Sequence, residues 1–261
     1  MTNCNRVTTP MEAGAMKNMV PNTGEATKED IQLYQSIIGS EMFAATQTRP
    51  DIAFALSVLS RFLCNPSPQH IAAAKRVLRY LKGTIYLATV YGGGKPGEET
   101  MILKGFTDAD FAGCLYTAKS TSGYLYFFAG GVISVQAKRQ TVVALSTTES
   151  EYYGVAKAGM EAAWLRQFFK ELLYKGQDAQ KVLLYGDNQS ALALAENPEL
   201  HQRTKHINVK YHYIRQQCER ELIDLWFIPT DKMAADGLTK PLAYPKFKEF
   251  VRLLNLQLVE L

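Results

Sequence analysis

At Gly92 to Glu99 the chain runs GGGKPGEE, a stretch whose glycines and proline stop any regular element and which divides two quite different textures. Before it, apolar residues recur at intervals of three and four. From Asp30 to Gly83, Tyr34, Ile37, Ile38 and Met42 form one helical stripe. Pro50 stands where a second helix can start, and Ile52, Ala55, Leu56, Leu59 and Phe62 continue the stripe. A third helix fits Pro68 to Leu81, with Ile71, Ala74, Leu78 and Leu81 inward. Residues 1–28, rich in Thr, Asn, Gly, Pro and Met, read as an extended lead segment.

After the break come short β-type runs, MILKGFT, GYLYFFAGG, VISVQAK and VVAL, which read as an antiparallel meander of three or four strands. A long helix follows from Thr147 to Tyr174, with Tyr152, Val155, Ala156, Trp164, Phe168, Leu172 and Leu173 expected on its core side. Then come VLLYG as a buried strand, short helices from Asn188 and from Lys205 to Glu221, and LWFIP as the last strand. The order predicts an α/β fold with a five-stranded mixed sheet flanked by helices. The chain is thus parsed as a lead segment (1–28), a helical unit (29–91), a linker (92–100), an α/β domain (101–242) and a C-terminal helix (243–261).

Composition sets outer bounds. Hydrophobic residues make up 47% and charged residues 21%, as in ordinary globular proteins, and the net charge of +4 permits a polyanionic partner. No stretch has the apolar length of a membrane span or the pattern of a secretory signal, so membrane partners are not expected. The four cysteines form no CxxC pair, which disfavours a zinc ribbon and a disulfide framework and points to an intracellular protein with reduced thiols.

Four acids stand out. Asp108 follows the first strand in FTDADFAG and Asp187 follows the buried strand in VLLYGDNQSA, where side chains leave the core but the backbone still fixes them. Either can equally be a turn or cap residue, and Asp110 competes with Asp108, since both point the same way from an extended segment. Ser146 and Glu149 make an S-x-x-E capping box that occupies Glu149 and leaves Glu151, one turn into the helix, on the sheet side. Asp236 is expected more than one turn inside a short helix, a poor place for Asp without a purpose. Converging carboxylates repel unless cations compensate them. Hard oxygen ligands select Mg²⁺ or Mn²⁺, and a pair of ions roughly 3.5–4 Å apart can activate water and stabilise the leaving oxygen in phosphodiester hydrolysis.

The blocks FTDADFAG, STSGYLYFFAGG, LSTTESEYYGVA, LYGDNQSAL, RTKHINVKYHYIR and AADGLTKPL, in this order, resemble the RNase H domain of copia-type LTR retrotransposon Pol polyproteins. Upstream, TTPM, YQSIIGSEMFAATQTRPDIAFALSVLSRF and HIAAAKRVLRYLKGT resemble the thumb and connection that follow the reverse transcriptase palm. The resemblance implies an RNase H-like fold at 101–242 and cleavage of the RNA strand of RNA–DNA hybrids. It places the catalytic, metal-binding tetrad on Asp108, Glu151, Asp187 and Asp236, with two Mg²⁺ or Mn²⁺ ions. The family's YVDD-type motif is absent, so polymerisation is not expected of this chain alone, and a palm or other Pol parts are expected partners. The resemblance also implies a cytoplasmic (virus-like particle) or nuclear location. Val135 stands where the family usually has Trp, and no His precedes Asp236 in the loop from Pro229.

Basic residues supply candidate hybrid contacts. Ile52 to Gly97 contains no acid, and Lys75, Arg79 and Lys82 fall on one helical face. Lys138 and Arg139 at the strand turn, Asn188, and Arg203, Lys205, His206 and Lys210 complete the set. The histidines 201, 206 and 212 lack metal-ligand spacing, which favours phosphate or hydrogen-bonding roles over zinc. The alternative from another functional class is a catalytically silent nucleic-acid-binding fragment of a decayed element.

Overall fold

The structure, a computed structural model, describes residues 4–92, 102–172, 181–196 and 210–259. Three helices open it: α1 (Lys28–Gln47), α2 (Ala53–Leu59) and α3 (Pro68–Gly83). Local chemistry sets their starts. Thr27 Oγ1 accepts the Asp30 amide at 3.1 Å to cap α1, and Ser67 with His70 forms a capping box on α3, with Pro68 in the first turn.

A short strand, β1 (Leu87–Thr89), is followed by β2 (Lys104–Ala109), β3 (Thr121–Phe128) and β4 (Gly131–Arg139). After α4 (Thr147–Leu172) come β5 (Val182–Gly186), α5 (Gln189–Glu196), α6 (Lys210–Glu219), β6 (Ile223–Phe227), α7 (Tyr244–Leu253) and β7 (Leu256–Leu258). The main sheet has the order β4-β3-β2-β5-β6. Strands β2, β3 and β4 form the antiparallel meander, and β5 and β6 add in parallel. This is the five-stranded mixed α/β sheet, flanked by helices, that the sequence predicts.

Two cores cover the sheet's faces. On one face, Tyr124, Tyr126, Leu184 and Ile223 pack with α4, α5 and α6. On the other, Phe106, Leu125 and Val135 pack with α1, α2, α3, α7 and the segment Met233–Leu238. Strand β7 pairs antiparallel with β1, tying the chain's end to the helical region.

Several elements differ from the sequence expectation. VVAL is not a strand: β4 ends at Arg139, Gln140 turns back to bond Ser122 and Ser150, and Val142, Val143 and Leu145 are exposed. The tail expected as one helix over 243–261 is helical only over Tyr244–Leu253 before turning into β7. Trp164 and Phe168 do not enter the core; they are 59% and 44% exposed and stack on each other at 5.6 Å. Trp164 lies nine residues beyond the buried Val155, about half a turn out of phase at roughly 100° per residue, whereas Leu165 and Phe169 keep the phase. The linker 92–100 lies outside the described residues except for Gly92.

Candidate active site

Three elements deliver three acids to one end of the sheet. Asp108 comes from β2, Glu151 from the first turns of α4, and Asp187 from just past β5. One carboxylate oxygen of each lies within 4.8 Å of the others. Close approach of backbones makes this possible. A Cβ on Gly154 would sit 3.3 Å from Thr107 Oγ1 and 3.5 Å from the Asp108 carbonyl, so glycine lets α4 settle against β2 one turn after Glu151. A Cβ on Gly123 would lie 2.5 Å from Leu238 Cβ, so glycine there admits the segment carrying Asp236 and Thr239.

The neighbouring polar groups hold these acids in place. Thr239 Oγ1 donates to Asp108 Oδ2 at 2.5 Å, and Thr230 Oγ1 donates to Asp187 Oδ2 at 2.8 Å. Asp187 is therefore not the cap of the following helix; Asn188 Oδ1 takes the Ala191 amide at 3.0 Å. Asp110, the competitor of Asp108, is turned away: its carboxylate accepts the amide of Thr121 at the start of β3. Ser146 caps α4 as expected, accepting the Glu149 amide at 3.1 Å, but the Glu149 carboxylate takes the Leu145 amide at 2.7 Å instead of that of Ser146. Glu149 is occupied either way.

Asp236 corrects its expectation. It heads a tight 3-10 turn, Asp236–Leu238, not the interior of an α-helix, because Gly237 and, shortly after, Pro241 favour no longer helix. Its carboxylate pairs with Lys240 and stands beside the three-acid group, close enough to act on Asp108. Burial pushes Asp108 up to about 6, its bond to Thr239 opposes this, and the charges of Asp187 and Asp236 add to it. Glu151 rises to about 9, first by burial and then by repulsion from Asp108 and Asp187. All donors are hard carboxylate oxygens, and the excess negative charge is what a divalent cation would neutralise.

No protein-family model matches the chain. The Pol polyprotein of transposon TNT 1-94 from Nicotiana tabacum is 44% identical over 252 residues, covering 95% of this chain and 18% of that protein. The Pol polyprotein of transposon RE1 from Arabidopsis thaliana is 36% identical over 248 residues, covering 94% of this chain and 16% of that protein. This chain belongs to the copia-type Pol polyproteins. It spans about a sixth of the length of these two relatives. Among solved structures, LC11-RNase H1 isolated from compost is 17% identical with a TM-score of 0.38, covering 53% of this chain and 93% of that one.

Among the described residues, the basic side chains that the sequence singles out are not brought to the acids as one group. Arg79 donates to the Asn5 carbonyl and Lys82 to the Cys4 carbonyl, so the lead segment lies along that face of α3, while Lys75 is exposed. Lys138 and Arg139 line a groove of about 480 Å³ between β4 and α1–α2, together with Arg61. Lys210 opens α6, and Arg203, Lys205 and His206 lie outside the described residues, as do His201 and its neighbours. Sequence reasoning missed Thr230, Thr239 and Lys240. The signal for the last two was their position three and four residues after Asp236, which a tight turn folds back onto the acids.

Proposed function

We propose that this Pol chain is a metal-dependent ribonuclease H that hydrolyses the RNA strand of RNA–DNA hybrids. The observation that carries the reading is the meeting of Asp108, Glu151 and Asp187 within 4.8 Å at one end of the sheet. These three, with Asp236 at the edge, would hold Mg²⁺ or Mn²⁺. When bound, the metal supplies the charge that activates a water and stabilises the leaving oxygen. The chain's own residues do the rest. Thr239 and Thr230 orient the carboxylates of Asp108 and Asp187, and Glu149 stays out of the site by binding a backbone amide.

Sequence-independent recognition fits this chemistry. A hybrid is read by its shape, 2′-hydroxyls and phosphates, and Lys138, Arg139 and Asn188 are the described candidates for those contacts. Helices α1–α3 would serve as the thumb and connection part, with a polymerase palm or other Pol parts as partners. Among the described residues no helix is long and apolar enough to cross a membrane.

Incubation of the chain with a labelled RNA–DNA hybrid, with and without Mg²⁺ or Mn²⁺ and beside duplex RNA and DNA controls, tests the proposal. The expected result is metal-dependent cleavage of the RNA strand alone, lowered more than about 100-fold in Asp187→Asn. A folded protein that binds the hybrid yet cleaves with neither metal would favour the silent nucleic-acid-binding alternative.

A further inference from the structure

Two adjacent residues reach two different acids. Thr239 Oγ1 donates to Asp108 at 2.5 Å, and the Lys240 ammonium pairs with the Asp236 carboxylate, four residues back along the turn. The Lys240 side chain is 47% exposed, whereas that of Asp236 is 20% exposed. Beside the pair opens a cavity of about 360 Å³, lined by Thr230, Asp231, Lys246 and Glu249 as well as by Asp236 and Lys240. An ammonium on a four-carbon stem can leave one carboxylate and swing into such a space without moving the backbone.

The charges around Lys240 point the same way. Burial disfavours its charged form, but the bond and charge of Asp236, followed by the charges of Asp108 and Asp187, outweigh that and hold it above its usual value. In return Lys240 lowers Asp108 and Glu151. Asp236, the acid that Lys240 holds, is the one outside the three that converge within 4.8 Å.

We propose that Lys240 is a tethered counter-cation: it assembles the acid group before metal arrives and competes with the divalent ion for Asp236. Lys240 is thus a positioning residue, acting through Asp236. The proposal rests on the metal-binding reading above. Removing the ammonium leaves the acids more negative, so divalent ions bind more tightly while the metal-free protein loses stability. A unit charge within several ångströms of a divalent ion changes its affinity by about tenfold.

Mn²⁺ binding to the full chain, read by electron paramagnetic resonance and calorimetry, tests this in wild type, Lys240→Met and Lys240→Arg. The expected result is about tenfold tighter Mn²⁺ binding in Lys240→Met and near-wild-type binding in Lys240→Arg, which keeps the charge. Thermal unfolding should show Lys240→Met less stable than wild type without metal and equal to it at saturating Mn²⁺. Equal or weaker binding in Lys240→Met, with Mn²⁺ still binding to wild type, would overturn the role of Lys240 alone. Absence of Mn²⁺ binding in all three proteins would overturn the metal reading and the competition together.

Discussion

In the helical region Arg49 and Asp51 are buried together, their side chains 7% and 0% exposed, and each charge of this pair meets the other. Arg49 grips Asp51 through two bonds of 3.0 and 2.8 Å, Tyr80 donates to Asp51 at 2.5 Å, and Thr84 takes two further Arg49 donors at 3.0 and 2.7 Å. At the end of the sheet Asp108, Glu151 and Asp187 are drawn together with two threonine hydroxyls and one nearby ammonium to answer them. The first cluster is balanced from within and ties α3 to the α1–α2 junction. The second is left short of positive charge, which is the property a cation-dependent site requires.

The largest test removes one partner from the balanced cluster. Asp51→Ala strands a buried guanidinium and should lower stability by about 3–5 kcal/mol in urea unfolding, while a paired apolar replacement of Arg49 and Asp51 should cost far less. A loss below about 1 kcal/mol would break the contrast between the clusters.

Next comes Glu41, 1% exposed and without an ion-pair partner among the described residues, whose carboxyl burial pushes up to about 8 from an ordinary 4.5. Between these values the folded chain keeps a proton that the unfolded chain has lost. Stability therefore falls as pH rises through this window, by about 1.4 kcal/mol per pH unit from this group. Glu41→Gln should flatten that slope in denaturation curves taken from pH 5 to 8. An unchanged slope would show that isolated burial does not set this carboxyl.

A smaller effect is expected at Thr239, whose hydroxyl serves the buried Asp108. Thr239→Val should cost about 1–3 kcal/mol in the metal-free protein, read by the same unfolding assay. The smallest belongs to Trp164, outside both clusters: Trp164→Ser should change stability by no more than about 0.5 kcal/mol, where a core tryptophan would cost several.

Much of the sheet end was legible because chemistry there is local in sequence. Asp108 and Asp187 each follow a strand directly, and Ser146 with Glu149 marks the start of α4, so Glu151 falls one turn inside. The choice between Asp108 and Asp110 was not legible, since alternation along an extended segment gives both the same direction. A bond from the Thr121 amide at the start of β3 decides it. Trp164 reads as a core residue in the sequence because a stripe of large apolar residues has more than one phase on a helix of this length. The small Ala158, Gly159 and Ala162 mark the buried side. The Arg49 cluster is not legible in the sequence because Tyr80 and Thr84 come from a different helix end, and neither is β7, because its partner β1 is remote in sequence, with Leu87 facing Leu258.

The central claim is that the acid cluster is held against its own repulsion so that a divalent cation can complete it. Urea unfolding of wild type and Glu151→Gln, each with and without Mg²⁺, tests it most directly. The account predicts that Glu151→Gln is the more stable protein without metal, and that Mg²⁺ stabilises wild type but the variant much less. A variant that is less stable without metal, together with an equal gain from Mg²⁺ in both proteins, would contradict it.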